Sequence, residues 1–299
     1  METANHEFIP LDFDSLEMEP ELFKSIAQRC GFTIIESIQD DVTFIKLRKR
    51  QIPFVKLYSR EMNHQFHFLD ISDLHVGSEQ FDEEKLIDIL KEAKEREVRQ
   101  VFIAGDLFEL EIDHREYDPR IMNEEKRKRI KKRYKEQLRY LVELFSKYSF
   151  DYYAINGNHE YVLEQLGIMT PLKEMEFLLR KKLINFNAYD TYIMDFEIAG
   201  VVKRMIHLER YYQCKNVFSA MERLFEFNRH GGLEVKTEEG IIPIRFLECG
   251  HVHMTMELYN SDYHVFVIQP GCFLKNENRY GPGVFVKGEV TPERCVIRY

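Results

Sequence analysis

The chain has 299 residues, 44% hydrophobic and 31% charged, with 23 Phe, 16 Tyr and no Trp. That is enough apolar material for packed cores, and it excludes disordered, collagen-like and fibrous classes. Apolar runs fall far short of the ~18 residues a membrane span requires, and the acidic start METANHEFIPLDFDSLEMEP carries no secretory pattern. Five scattered Cys without a CxxC pair fit a reduced, cytoplasmic chain with no membrane partner.

Residues 1–18 read as irregular. From Glu21, ELFKSIAQRC has apolar side chains at 22, 23, 26 and 27, a helical period, and Gly31 stands where it would end. VTFIKLRKR and PFVKLYS read as two strands separated by Pro53. The expectation is a small α+β module over 1–62. The Ala27–Gly31 spacing and the strands after it fit a winged-helix-like module, and equally a plain packing appendage.

From Phe66 the pattern changes. FHFLDIS is a near-continuous apolar run, as in a buried parallel strand. A helix is predicted over about 82–97, with Leu86, Ile89, Leu90 and Ala93 on one face. QVFIAGD is the next strand, a helix follows over about 121–147, and DYYAIN is a third strand. Thr170-Pro171 starts another helix. After about residue 183 the chain is strand-rich, with one helix over about 215–228. The expected fold class is a layered α/β domain over 63–299.

Four strand ends run straight into Asp, Asn or His. They are Asp73-Leu74-His75, Gly105-Asp106, Gly157-Asn158-His159-Glu160 and Gly250-His251-Val252-His253. Ligand sites of α/β sheets lie beyond the carboxyl ends of strands. Glycines at 105, 157 and 250 let the backbone turn there without a Cβ clash. Carboxylate, imidazole and amide oxygen together suit Mn, Fe, Zn, Ni or Co. Six or more such groups exceed the needs of one tetrahedral ion and imply two, bridged by a carboxylate at a separation of about 3.5–4 Å.

This ordered set resembles the calcineurin-like metallophosphoesterase superfamily, over about residues 66–275. The resemblance implies a four-layer αββα sandwich, with the N-terminal module as an appendage. It implies that Asp73, His75 and His253 hold one ion, that Asn158, His207 and His251 hold the other, and that Asp106 bridges them. Mn is the first expectation for both ions. His159 would contact the phosphate and assist the leaving group, with Glu160 orienting it. His207 is taken in preference to His230 because the other ligands also follow strands. His64, His67, His114 and His264 read as surface or packing residues, and Glu109–His114 as a solvated loop in preference to a supporting or extra metal site. Cys249 and Cys272 read as buried, inert thiols.

The formal net charge of -9 is uneven. Residues 119–148 hold eleven Lys/Arg against four Glu, so +7 sits on a body of -16. Eight cations fall within 126–135, Lys128, Arg129, Lys132 and Arg133 among them. The helix carrying them joins the GD strand to the GNHE strand, and both its ends are expected at the catalytic edge. A solvated face and a nucleic-acid contact both fit this charge.

Protein Ser/Thr phosphatases of the superfamily carry Asp-Arg-Gly soon after GD. Here Gly105-Asp106 continues Leu107-Phe108-Glu109-Leu110, without the arginine. GDLF and DLHVG look more like the nuclease and phosphodiesterase branches, and like phage and bacterial members with a small N-terminal module. The implied activity is phosphodiester hydrolysis, with nucleic acid as the first substrate. A phosphomonoesterase and a catalytically inactive scaffold are the alternatives.

Overall fold

The computed structural model describes residues 32–39, 42–49, 52–57, 65–110, 122–166, 170–198, 200–207, 234–237, 240–251, 253–261, 264–276, 282–291 and 294–298. The helices expected from Glu21 and over 215–228 lie outside them, as do His64, His114 and His230. The chain forms two compact units, residues 1–53 and 54–299.

In the first unit β1 (Phe32–Gln39) pairs antiparallel with β2 (Val42–Lys49), from Phe32 opposite Lys49 to Gln39 opposite Val42. The strand expected at VTFIKLRKR is β2, and the PFVKLYS segment also holds a strand. That segment is β3 (Phe54–Leu57), which runs parallel to a strand of the second unit, Phe54 opposite Asp195. The first compact unit ends at Pro53. β3 forms an edge of the larger sheet.

The second unit continues with β4 (Gln65–Ile71), α1 (Glu83–Glu95), β5 (Gln100–Ala104), α2 (Glu124–Phe145) and β6 (Asp151–Ile155). Then come α3 (Asn158–Gln165), α4 (Pro171–Lys181) and β7 (Phe186–Tyr189). The remaining elements described are β8 (Ile193–Ile198), β9 (Val201–His207), β10 (Glu234–Thr237), β11 (Gly240–Gly250), β12 (Thr255–Asn260), β13 (Val265–Pro270), β14 (Val284–Thr291) and β15 (Arg294–Arg298).

Two sheets result. One has the order β15-β14-β4-β5-β6-β7, the other β12-β13-β11-β9-β8-β3 with β10 on β11. Strands β4 to β7 are mutually parallel, and β9 is parallel to β11. Period-two alternation sorts the side chains. Phe66 and Phe68 of β4 and Phe102 of β5 face Phe196, Met205 and Phe246 of the other sheet. Leu69, Ile71, Val101 and Ile103 face the buried sides of α1, α2 and α4. Edge-to-face rings span the sheets, Phe68–Phe246 at 5.7 Å and Phe102–Phe196 at 5.2 Å. Such pairs add about 0.5–1.5 kcal/mol each beyond their area. The fold is mixed α/β with two facing sheets and helices.

Asp82 caps α1 by accepting from the Lys85 N–H, and Asn123 caps α2 by accepting from Lys126. Only the N-terminal end of α2 lies toward the catalytic edge, a correction to the expectation that both do. Because β5 and β6 are parallel, the connection must cross to the opposite edge before β6 begins. The cationic half of α2 is therefore the half nearer the strand ends.

Candidate metal centre

Parallel strands aim their carboxyl ends at one edge, and there the turns are joined backbone to backbone. The Asp73, His75 and Val76 N–H groups donate to the carbonyls of Gly105, Asp106 and Leu107, each at 3.0 Å. His251 N–H donates to both Asp73 carboxylate oxygens at 3.0 and 2.8 Å, tying β11 of one sheet to β4 of the other. Gly105 has φ 86, and a Cβ on it would come within 2.6 Å of His207 Nδ1. A Cβ on Gly157 would fall on the Asp106 carboxylate and backbone nitrogen. These two positions exclude any other residue.

Eight non-glycine residues among those described have positive φ, and five of them are Asp73, His75, Asp106, His251 and His253. Such backbone costs roughly 1–3 kcal/mol per residue and persists where the surroundings over-determine it, most often at functional sites.

The side chains form two abutting clusters. Ligand atoms of Asp73, His75 and His253 lie within 4.8 Å of one another, and so do those of Asp106, His207 and His251. Asn158 Oδ1 joins the second cluster, 3.0 Å from His207 Nε2 and 2.9 Å from His251 Nδ1. His207 Nδ1 lies 2.6 Å from the Ala104 carbonyl. That contact fixes the proton on Nδ1 and turns the Nε2 lone pair toward the cluster, as a ligand requires.

The donor set fits divalent ions. His75 Nε2 and His253 Nε2 are only 3.1 Å apart, close enough for both to turn a lone pair toward one cation. A cation between them satisfies both. Burial alone would raise the Asp106 carboxyl, but His207 and His159 outweigh it and hold Asp106 well below the usual carboxylate range. Burial alone would lower His207, yet the Asp106 charge beside it lifts it to about 9. Burial and the neighbouring His207 lower His251 to about 3. An ionised carboxylate ringed by imidazoles is what a bound cation would stabilise.

His159 and Glu160 open α3, the short helix at the GNHE turn. The His159 N–H donates to Asp106 Oδ1 at 2.9 Å. The Glu160 carboxylate accepts from the backbone N–H groups of Gly157, Asp106, Leu107 and Phe108, at 2.7 to 3.3 Å. It organises the two turns from which His159 projects.

The ring's neighbour is Glu109. Its carboxylate lies 3.2 Å from His75 Nδ1 and 3.7 Å from His159 Nδ1, with a side chain 17% exposed. His75, Glu109 and His159 form a third group able to hold a metal ion. Of the two readings of Glu109 the structure favours the one beside the metal site: it is half-buried between His75 and His159. The available signal was an acid three residues after Asp106, in a turn already full of ligands. Cys249 and Cys272 are buried free thiols.

Lys128, Arg129 and Lys132 are exposed on α2. Arg133 is half-buried, and its Nη2 donates to the Gly77 carbonyl at 3.1 Å, two residues beyond His75. Gln137 clasps Glu109 by accepting from its N–H at 3.2 Å and donating to its carbonyl at 2.8 Å. The basic helix is therefore anchored to the turns that carry His75 and Glu109.

The family model for calcineurin-like phosphoesterase matches residues 66–266. The chain belongs to that metal-dependent family. A predicted phosphoesterase from Streptococcus pneumoniae TIGR4 is 12% identical, with 78% of this chain and 87% of that one covered and a TM-score of 0.35. Yfce, a phosphoesterase from E. coli, is 12% identical over 76% of this chain and 89% of its own, with a TM-score of 0.38. Vacuolar Protein Sorting 29 from Cryptosporidium parvum is 12% identical over 79% and 97%, with a TM-score of 0.39. Comparison with curated proteins gave no match. Among the described residues no helix is long and apolar enough to cross a membrane.

Proposed function

We propose that this chain is a hydrolase that uses two divalent ions, Mn foremost, to cleave phosphodiester bonds, with nucleic acid as the leading substrate. The observation carrying the reading is the pair of neighbouring donor clusters, Asp73 with His75 and His253, and Asp106 with His207 and His251, tied together by the His251 N–H on the Asp73 carboxylate. Asp73, His75 and His253 would hold one ion and Asn158, His207 and His251 the other, with Asp106 shared. Bound ions supply positive charge to the phosphoryl oxygens and acidify a water to serve as nucleophile near neutral pH.

The residues do the rest. His159 faces the leaving oxygen and gives it a proton. The Glu109 carboxylate stands on the Nδ1 side of the His159 ring, 3.7 Å away. Glu160 holds the turns that set the distance between His159 and Asp106.

Glu109 also bears on the ester class. It stands three residues after Asp106, where no arginine is present to grip a dianion. A carboxylate there repels a monoester, which approaches two negative charges, more than a diester, which carries one. The exposed cations of α2, on a helix anchored at Gly77 and Glu109, support a polynucleotide.

The test is hydrolysis with Mn²⁺ of bis- against mono-p-nitrophenyl phosphate, then of single- and double-stranded DNA and RNA. Metal-dependent cleavage of the diester and of a polynucleotide is expected. Preference for the monoester would overturn the ester class, and no cleavage by a metal-loaded chain would overturn the enzyme reading.

A further inference from the structure

Below the metal ligands, in the aromatic interior between the sheets, lies a closed group of three ions. Lys203 Nζ is 2.8 Å from Asp70 Oδ2, to which it donates, and 2.8 Å from Glu248 Oε2. All three side chains are 0% exposed. The ammonium also lies over the Phe68 and Phe102 rings, 4.7 and 4.9 Å from their centroids. Asp70 belongs to β4 of one sheet, while Lys203 on β9 and Glu248 on β11 belong to the other.

Each of these strands delivers metal-site residues a few positions further on. β4 runs into Asp73 and His75, β9 ends at His207, and β11 runs into His251 and His253. One cation and two carboxylates would leave a net negative charge in a closed interior, which is strongly unfavourable. Asp70 Oδ1 and Glu248 Oε1 also have no hydrogen-bond donor. A proton held between the two carboxyl groups answers both problems, because it neutralises the trio and supplies the missing donor.

We propose that Asp70, Lys203 and Glu248 form a protonated ionic clamp between the sheets, and that this clamp positions the three ligand-bearing strands. Burial and the Asp70 charge push Glu248 up to about 8, and burial raises Asp70 as well. Glu257 of β12 is the further acid whose charge reaches Asp70. The metal-centre reading enters only through the clamp's effect on the ligands; the proton itself can be tested without metal.

The linkage has a definite sign. A carboxyl whose folded pKa is raised stabilises the fold fully below its unfolded value, and that contribution is lost as pH rises through the folded value. Between pH 6 and 7.5 the folded chain holds the Glu248 proton and the unfolded chain does not. The unfolding constant therefore rises about tenfold per pH unit from this group alone. Glu248→Gln keeps a neutral donor in place and removes the titration. Asp70→Asn leaves Lys203 to a single carboxylate, which then stays ionised.

The experiment is urea unfolding of the metal-free full chain and of both variants across pH 6–7.5. The plot of log unfolding constant against pH should be shallower by about one unit per pH unit in each variant that folds. A wild-type slope retained in either folded variant overturns the clamp. Mn²⁺ binding gives the positioning readout. At pH 9 the wild type should bind several-fold more weakly than Glu248→Gln, and at pH 7 the two should be equal. Equal affinities at both pH values would remove the positioning role, whereas no Mn²⁺ binding by wild type at pH 7 would instead contradict the metal-centre reading.

Discussion

The two donor clusters are built from similar residues but held differently. The cluster of Asp106, Asn158, His207 and His251 is locked from all sides. His207 is pinned to the Ala104 carbonyl, Asn158 opens a helix, and Asp106 accepts from the His159 backbone. The cluster of Asp73, His75 and His253 is looser: the His253 side chain is 25% exposed, and His75 relies on the Glu109 carboxylate. A preorganised set of ligands loses less freedom on binding than a loose one. The locked cluster should therefore keep its ion longer under chelation, and the looser one should fill last and respond most to its surroundings.

The largest break in this comparison is Asp106→Asn, which removes the charge that both ions share under the proposed function. Both ions should be lost and turnover should fall on the order of 10⁴-fold or more, checked by metal analysis beside a diester assay. His159→Ala comes next: it should keep full metal content while turnover falls by roughly 10²–10⁴-fold, which separates the proton donor from the ligands.

Single-ligand changes sharpen the contrast. His207→Ala should leave about one ion per chain, and His253→Ala should also leave about one, but the more tightly held one. Chelator titrations of the two variants should show that order. Glu109→Gln should weaken metal at the looser cluster by about 10–100-fold, as expected for a partner that orients a ligand, and leave the other cluster unchanged.

The smallest effect on chemistry belongs to α2. Replacing Lys128, Arg129 and Lys132 with Gln spares Arg133, which holds Gly77, and spares the buried seam at Ile130, Tyr134 and Leu138. Hydrolysis of a small diester should not change. Polynucleotide binding should weaken, and its log–log salt slope should become shallower by up to about three units.

Much of the site was legible because metal chemistry needs rare residue types at strand ends, where Asp, His and Asn interrupt apolar runs. Asp73, Asp106, His159 and His251 stood out for that reason. Glu109 stood out less, since an acid in a polar loop looks solvated until His75 and His159 are seen on either side of it. Glu160 stood out as well, but the sequence does not reveal that four backbone N–H groups converge on its carboxylate.

The fold was legible where periodicity was strong, as in β4, β5, β6 and the seam of α2. It was less so where pairing is non-local. β3 reads as a strand, but its partner β8 lies far along the chain. The clamp was hidden for a related reason. Lys203 sits in VVKRMIH, a strand buried at every position, and only the opposite sheet supplies the Asp70 that makes its charge tolerable.

The central claim is a two-ion centre joined at Asp106, and metal counting tests it most directly. The chain is loaded with Mn²⁺ and desalted, and metal per chain is measured beside bis-p-nitrophenyl phosphate hydrolysis, with Asp106→Asn carried in parallel. The account predicts about two ions per active wild-type chain and neither metal nor activity in the folded variant. A wild-type chain that binds no metal, or a variant with full metal and full activity, would contradict it.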